Sequence, residues 1–263
     1  YEWSSSKSHS RRGINTKKIN VPSKFNAGPI HLSLGHHETD SKDVLFIPTE
    51  CLMAGRNREL YPTLKRLTPR GSFPSEFYSE SIDVWKKVIG QDLHYHIGWG
   101  EGDILYNAIE YLYQFIGENK KVLDCGCGWG GSGKVLQRDL NCKVTGITNS
   151  STQYDYIKDN LSIDVKLTDL HNFKPQDKYD VAIFIESYCH LSNAGKVLYK
   201  ISEATDKIIF REYHLKTNQY PKSYVDRWFM NIYRKDELVS LMEQLDFKLT
   251  HQEENYDYAL EPT

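Results

Sequence analysis

Residues Lys121–Ser150 read KVLDCGCGWGGSGKVLQRDLNCKVTGITNS. Val122 and Leu123 form a short apolar run that stops at Asp124. Gly126, Gly128, Gly130, Gly131 and Gly133 follow in close succession. Val135, Leu136 and Leu140 then recur at helical spacing, and Val144–Ile147 is a second apolar run. The pattern predicts strand, tight turn, helix and parallel strand, a βαβ unit. Glycines in such a turn accept positive φ and let main-chain N–H and C=O groups approach a ligand closely.

The spacing Gly126-x-Gly128-x-x-Gly131 satisfies the dinucleotide fingerprint. Two neighbours argue against that ligand. Thr148 stands where an acid would hold the ribose hydroxyls, and Asp124 puts a fixed negative charge beside the place of a pyrophosphate. A ligand carrying an ammonium and a sulfonium suits Asp124 better. The string VLDCGCGWG (122–130) closely resembles the first motif of class I S-adenosylmethionine (SAM) methyltransferases. VTGITNSSTQ (144–153) resembles the second-strand motif of the cyclopropane synthase, sterol and tocopherol methyltransferase group. The resemblance covers roughly residues 90 to 255. It implies a Rossmann-like α/β fold, a mostly parallel seven-stranded sheet with helices on both faces, and SAM as cofactor. It also implies cofactor contacts from Asp124, Gly126, Cys127, Gly128, Thr148 and Asn149, with Gln153 on the ribose, Asp169 against the adenine amino group and Leu170 beside the ring. Gln153 has a competing role in a capping box with Ser150, and Asp169 in an ordinary strand-end turn.

Two further strings carry the resemblance. HYHIGWG (94–100) is similar to an H-x-H-x-G-Y/W stretch that lies over cofactor and substrate in related small-molecule methyltransferases; the alternative is a helix-entry loop whose rings merely pack. IESYCHL (185–191) is similar to the I-E-A-x-x-H and M-E-S-x-x-H motifs of sterol and tocopherol methyltransferases, whose glutamate lines the substrate side. It follows the most apolar run of the chain, and ligands of open α/β sheets bind outside the carboxyl ends of strands. The candidate catalytic residues are therefore Glu186, His190, His94 and His96, with Glu186 also at the cofactor. Helix capping is the competing role for Glu186 and Ser187. Tyr95, Trp99, Arg211, Tyr213, His214 and Trp228 are the candidate acceptor contacts; a surface pair between Arg211 and Glu212 is the alternative for the former. An amine or hydroxyl acceptor needs a base for its proton. An alkene or ring carbon needs a stabilised cation, and a carboxylate needs no base. The sequence leaves transfer to O, N or C open. It also leaves open carboxylate capping by one part of a bifunctional enzyme, and a catalytically silent SAM-binding module.

The 263 residues hold 33 basic and 35 acidic side chains, a net charge of -2, and 39% hydrophobic residues. That balance carries no electrostatic footprint for nucleic acid, and no apolar run is long enough to span a membrane. The domain reading is a basic, flexible arm over residues 1–24, a proline-punctuated cap over 25–90, and the SAM-binding domain over 91–263. Cys51, Cys125, Cys127, Cys142 and Cys189 are an odd, scattered set, which points to free thiols in a reducing cytoplasm. Neither Cys125-x-Cys127 nor the adjacent His36 and His37 has metal-site spacing, so no metal is expected. The fold calls for a seventh, antiparallel strand, for which only Asn255–Thr263 remain. The first residue is Tyr1, not Met, and together with that short tail it raises the expectation of a covalent continuation into a second domain.

Overall fold

The computed structural model describes residues 14–19, 30–35, 42–48, 82–94, 96, 102–212, 214 and 234–253. Strands β1 (Ile14–Ile19) and β2 (Ile30–Gly35) pair antiparallel as a two-stranded sheet. The main sheet is built from β3 (Lys42–Pro48), β4 (Lys121–Cys125), β5 (Lys143–Thr148), β6 (Asp164–Leu167), β7 (Val181–Ile185), β8 (Lys207–Glu212) and β9 (Phe247–Gln252). Its order is β6-β5-β4-β7-β8-β3-β9, and every pairing in it is parallel.

The sequence pattern explains the central strands. All five residues of β7, VAIFI, are buried, as expected of a parallel strand covered on both faces. Successive side chains alternate between faces. Leu123, Ala182, Phe184, Ile208 and Phe210 pack on one side with Val197 and Leu198 of α6 (Ala194–Ser202) and Leu241 of α7 (Lys235–Gln244). Val122, Val144, Val181, Ile183 and Ile209 pack on the other with Leu136 of α4 (Gly131–Leu140) and Ile157 of α5 (Ser151–Asn160). Phe184 and Phe210 stack with centroids 5.0 Å apart. Among the described residues, three helices precede the glycine turn: α1 (Ile82–Ile89), α2 (Ile104–Glu110) and α3 (Tyr113–Ile116). The sequence stripe predicts one helix over Asp103–Glu118; the structure breaks it at Tyr111–Leu112. Asp103 caps its start by accepting from Tyr106 N–H.

The rest of the sheet takes a strand from the N-terminal residues. The position between β8 and β9 holds β3, parallel to both neighbours, while the expected antiparallel strand falls on Asn255–Thr263. Those C-terminal residues lie outside the described ones. Val44–Ile47, read as part of the cap, therefore belong to the main sheet. Ile14–Ile19, within the stretch read as a flexible arm, is a strand. An unbroken V-L-F-I run suits an interior parallel strand, but which sheet takes it is decided by tertiary pairing.

The order of strands reverses between β4 and β7. This is the topological switch point, outside which ligands of open α/β sheets bind. It brings the glycine turn after β4 beside the Glu186–His190 loop after β7.

Candidate active site

Asp124 ends the first core strand. Its side chain is buried, and Oδ2 has no hydrogen-bond partner among the described residues. Burial without a partner pushes its carboxyl up to about 7. A buried polar atom left unpaired in a native fold calls for an explanation. A cationic ligand supplies one here, and the ammonium of SAM is such a cation. Beyond it, a Cβ at Gly128 would meet nothing within 4 Å, so the turn leaves open space beside its main chain. The residues present thus fit the amino-acid end of SAM.

The turn is fixed by close approach on two sides. Gly126 has φ +93° and its N–H donates to Ile147 O at 3.1 Å, joining the ends of β4 and β5. A Cβ there would lie 2.6 Å from Ser187 Cβ. Ser187 in turn donates through Oγ to Cys125 O at 2.5 Å. The glycine turn and the loop after β7 are therefore pressed together. We expect Gly126→Ala to cost about 2 to 4 kcal/mol of stability from strain and displacement, read as a lower Tm, and to abolish turnover by pushing the Ser187 loop away. At Gly131 a Cβ would meet Asp92 O at 2.8 Å and Leu93 O at 2.9 Å. The segment leading to His94 is thereby pinned on the first turn of α4. Lys134 Nζ adds a hydrogen bond to Asp92 Oδ1 at 3.3 Å.

The candidate residues fall into groups. His94 is buried, and its Nδ1 lies 3.3 Å from His96 Nε2. Burial lowers the His94 pKa, keeping the ring neutral at neutral pH. Cys127 packs its Sγ toward Gly146. Burial raises the Cys125 and Cys127 thiols well above their usual range, which makes both inert. At the end of β5, the Thr148 hydroxyl donates to Gln153 Oε1 at 2.7 Å and accepts from Ser150 N–H at 3.1 Å. Ser150 Oγ caps α5 by accepting from Gln153 N–H. Gln153 thus turns to Thr148 rather than closing the box onto Ser150, and Asn149 beside them is exposed. At the end of β6, Asp169 Oδ1 accepts from His171 N–H and lies 2.7 Å from His171 Nδ1, which lowers its pKa. Leu170 is buried next to it.

On the acceptor side the structure changes two readings. Arg211 and Glu212 are no surface pair; both are buried. Arg211 Nη1 instead donates to Glu186 Oε1 at 2.6 Å. Arg211, expected against the acceptor, is thus ion-paired with Glu186. Glu186 itself adopts φ +51°, and its N–H donates to Arg211 O at 2.8 Å. His190 sits half-buried in the 3₁₀ turn Tyr188–His190, and His214 is half-buried just past β8. Tyr95, Trp99, Tyr213 and Trp228 lie outside the described residues. The sequence reading missed Glu212 as a buried anchor of the loop after β7. Its only signal was a charged residue at the end of a strand with an apolar centre, Ile208–Phe210.

Comparison with known proteins places this geometry. The family described as "Methyltransferase domain" matches residues 122–207. An (S)-coclaurine N-methyltransferase of Thalictrum flavum subsp. glaucum is 36% identical over 126 residues, 43% of this chain and 35% of that protein. A sterol 24-C-methyltransferase of Neurospora crassa is 25% identical over 209 residues, 69% of this chain and 55% of its own length. The chain thus spans about a third to about half of the length of these two curated relatives. A cyclopropane synthase of Mycobacterium tuberculosis shares the fold, with a TM-score of 0.60 at 14% identity over 70% of this chain and 77% of that one. The match to the methyltransferase domain model spans the glycine turn, Asp124 and the loop after β7, and the fold is one shared with a cyclopropane synthase.

Proposed function

We propose that this protein transfers a methyl group from SAM to a small-molecule, natural-product-like acceptor at O, N or C. The observation that carries the reading is the buried Asp124 carboxyl group, whose Oδ2 has no partner among the described residues, beside an open main-chain turn. The cofactor, when bound, supplies a methyl group already activated by its sulfonium. What remains for the chain is alignment and proton handling; well-oriented reactants reach effective molarities of about 10⁵ to 10⁸ M. Asp124 holds the ammonium, Gly126 and Gly128 admit the amino-acid portion, and Asp169 and Leu170 receive the adenine. Gln153, with Thr148 and Asn149 around it, faces the ribose. His190 takes the acceptor's proton where one must leave, with His94 and His96 on the opposite side of the turn. Glu186, ion-paired with Arg211, lines the site. Tyr95, Trp99, Tyr213, His214 and Trp228 are assigned to the acceptor wall.

The relatives' names point to amine nitrogens and sterol carbons as the first acceptors to try. The near-neutral charge balance speaks for a small molecule rather than nucleic acid. Among the described residues, Cys125, Cys127, Cys142 and Cys189 are buried and in no disulfide, which suits a reducing, cytoplasmic setting. Among the described residues no helix is long and apolar enough to cross a membrane.

The test has two stages. SAM should raise Tm by several degrees at saturating concentration while NAD does not; the reverse would point to a dinucleotide enzyme. A panel of secondary and tertiary amines, sterols, phenols and carboxylic acids is then incubated with methyl-labelled SAM. Label should pass to at least one acceptor. His190→Ala should cut that transfer by about 100-fold or more, as loss of a general base does, with SAM affinity unchanged. SAM binding without transfer to any panel member would favour the silent module.

A further inference from the structure

The end of β8 grips the loop after β7 twice. Arg211 holds the Glu186 side chain, and Glu212 holds the main chain that follows. Glu212 is wholly buried. Its Oε1 accepts from Ser187 N–H and from Tyr188 N–H, both at 2.6 Å, and its Oε2 accepts from Cys189 N–H at 3.4 Å. Three consecutive main-chain donors converge on one carboxylate. This is the concavity that backbone forms for an anion at the start of a helical turn, here filled by the protein's own side chain.

The loop so held is under constraint. Glu186 is in the left-handed region, which a non-glycine residue keeps only where its surroundings over-determine it. From the far side, Ser187 is pressed onto Gly126 and bonded to Cys125 O. Packing alone does not explain an ionisable group at this depth. Burying a carboxylate is unfavourable, and burial pushes Glu212 up to about 8. What the carboxyl group adds is acceptor oxygen aimed at three consecutive N–H groups, on the loop that bears Glu186 and His190.

We propose that Glu212 is a positioning residue for methyl transfer. By accepting from Ser187, Tyr188 and Cys189 it sets the loop that aims Glu186 and His190 at the acceptor. The catalytic half of this inference rests on the function proposed above; the structural half does not.

The test compares Glu212→Met, which keeps the volume and removes both acceptors, with Glu212→Gln, which keeps the oxygen that serves Ser187 and Tyr188. Hydrogen exchange at the Ser187 and Tyr188 amides should accelerate about tenfold or more in the Met variant and stay near wild type in the Gln variant. SAM affinity should be unchanged in both. With SAM and the first acceptor found in the panel, kcat should fall about tenfold or more in Met and be largely restored in Gln. Equal behaviour of Met and Gln would reduce Glu212 to a space-filler and overturn the proposal. So would lost amide protection with wild-type kcat. Should the Met variant fail to fold, the wild type decides: fast exchange at these two amides in the folded protein overturns the proposal. Failure of the wild type to bind SAM would strike at the methyltransferase reading, while the amide measurements would still judge Glu212.

Discussion

Asp124→Ala loses SAM binding by at least about 100-fold in isothermal titration, because removing one partner of a buried charge pair costs about 3 to 5 kcal/mol. The ligand-free protein should respond in the opposite direction. Asp124 is buried with an unpartnered oxygen, so its ionised form is a burden until a cation arrives. Its folded-state pKa, about 7, lies above the ordinary value of 3.8. The folded chain therefore binds this proton more tightly than the unfolded chain. The stability so contributed is complete below pH 3.8 and is lost as pH rises through about 7. Between those limits the linkage amounts to roughly 4 kcal/mol. Asp124→Asn, which cannot ionise, should match wild-type Tm near pH 4 and exceed it increasingly toward pH 8. SAM affinity of the wild type should weaken about tenfold for each pH unit below 7, since ligand must first expel the proton. A variant that keeps its affinity, or a Tm difference that does not grow with pH, would remove Asp124 from the cofactor site.

The same residue shows why part of this molecule can be read from its sequence. Asp124 ends an apolar run and precedes glycines, and both features are local. So are the all-apolar VAIFI of β7 and the Ser150 cap of α5, which fix strand and helix within a few residues of themselves. Long-range pairings leave weaker marks. Arg211 and Glu212 close a strand with charge, and in sequence a charged strand end looks like a surface. Only in the folded sheet does β8 lie beside β7, so that Arg211 reaches Glu186 and Glu212 reaches three amides. The link from Asp169 to His171 is a further case. His171 Nε2 also accepts from Asn193 N–H at 3.1 Å, tying the end of β6 to the start of α6, and no spacing rule announces it. Val44–Ile47 is the furthest from local reading. A short apolar run among prolines fits a cap, a hairpin or an interior strand, and sequence separation from its partners hides which.

That strand supports the second large expectation. Residues 91–263 contain the glycine turn and the strands and helices that follow it, and by sequence they would be expressed as a self-sufficient domain. The structure argues that they will not fold alone. β3 pairs with β8 at six positions from Asp43 to Pro48 and with β9 at five from Lys42 to Phe46. Without it, β8 and β9 face each other across an empty strand position about 9 to 10 Å wide, twice the spacing of adjacent strands. Each lost main-chain hydrogen bond is worth about 0.5 to 1.5 kcal/mol net. Losing two ladders therefore removes an amount comparable to the whole stability of a domain, about 5 to 15 kcal/mol. It also leaves two long unpaired edges, which invite aggregation. A chain of residues 49–263 should lack a cooperative thermal transition by circular dichroism and fail to bind SAM, while the full chain shows both. Leu45→Pro makes the same point with one substitution. Proline cannot donate to a ladder, and β3 has a neighbour on each side. We expect a loss of about 3 kcal/mol or more, with the Tm of the full chain falling accordingly. A truncated protein that melts at the full-length temperature and binds SAM equally well would remove β3 from the sheet, and with it the parallel register that sets Pro48 beside Glu212 at the edge of the site.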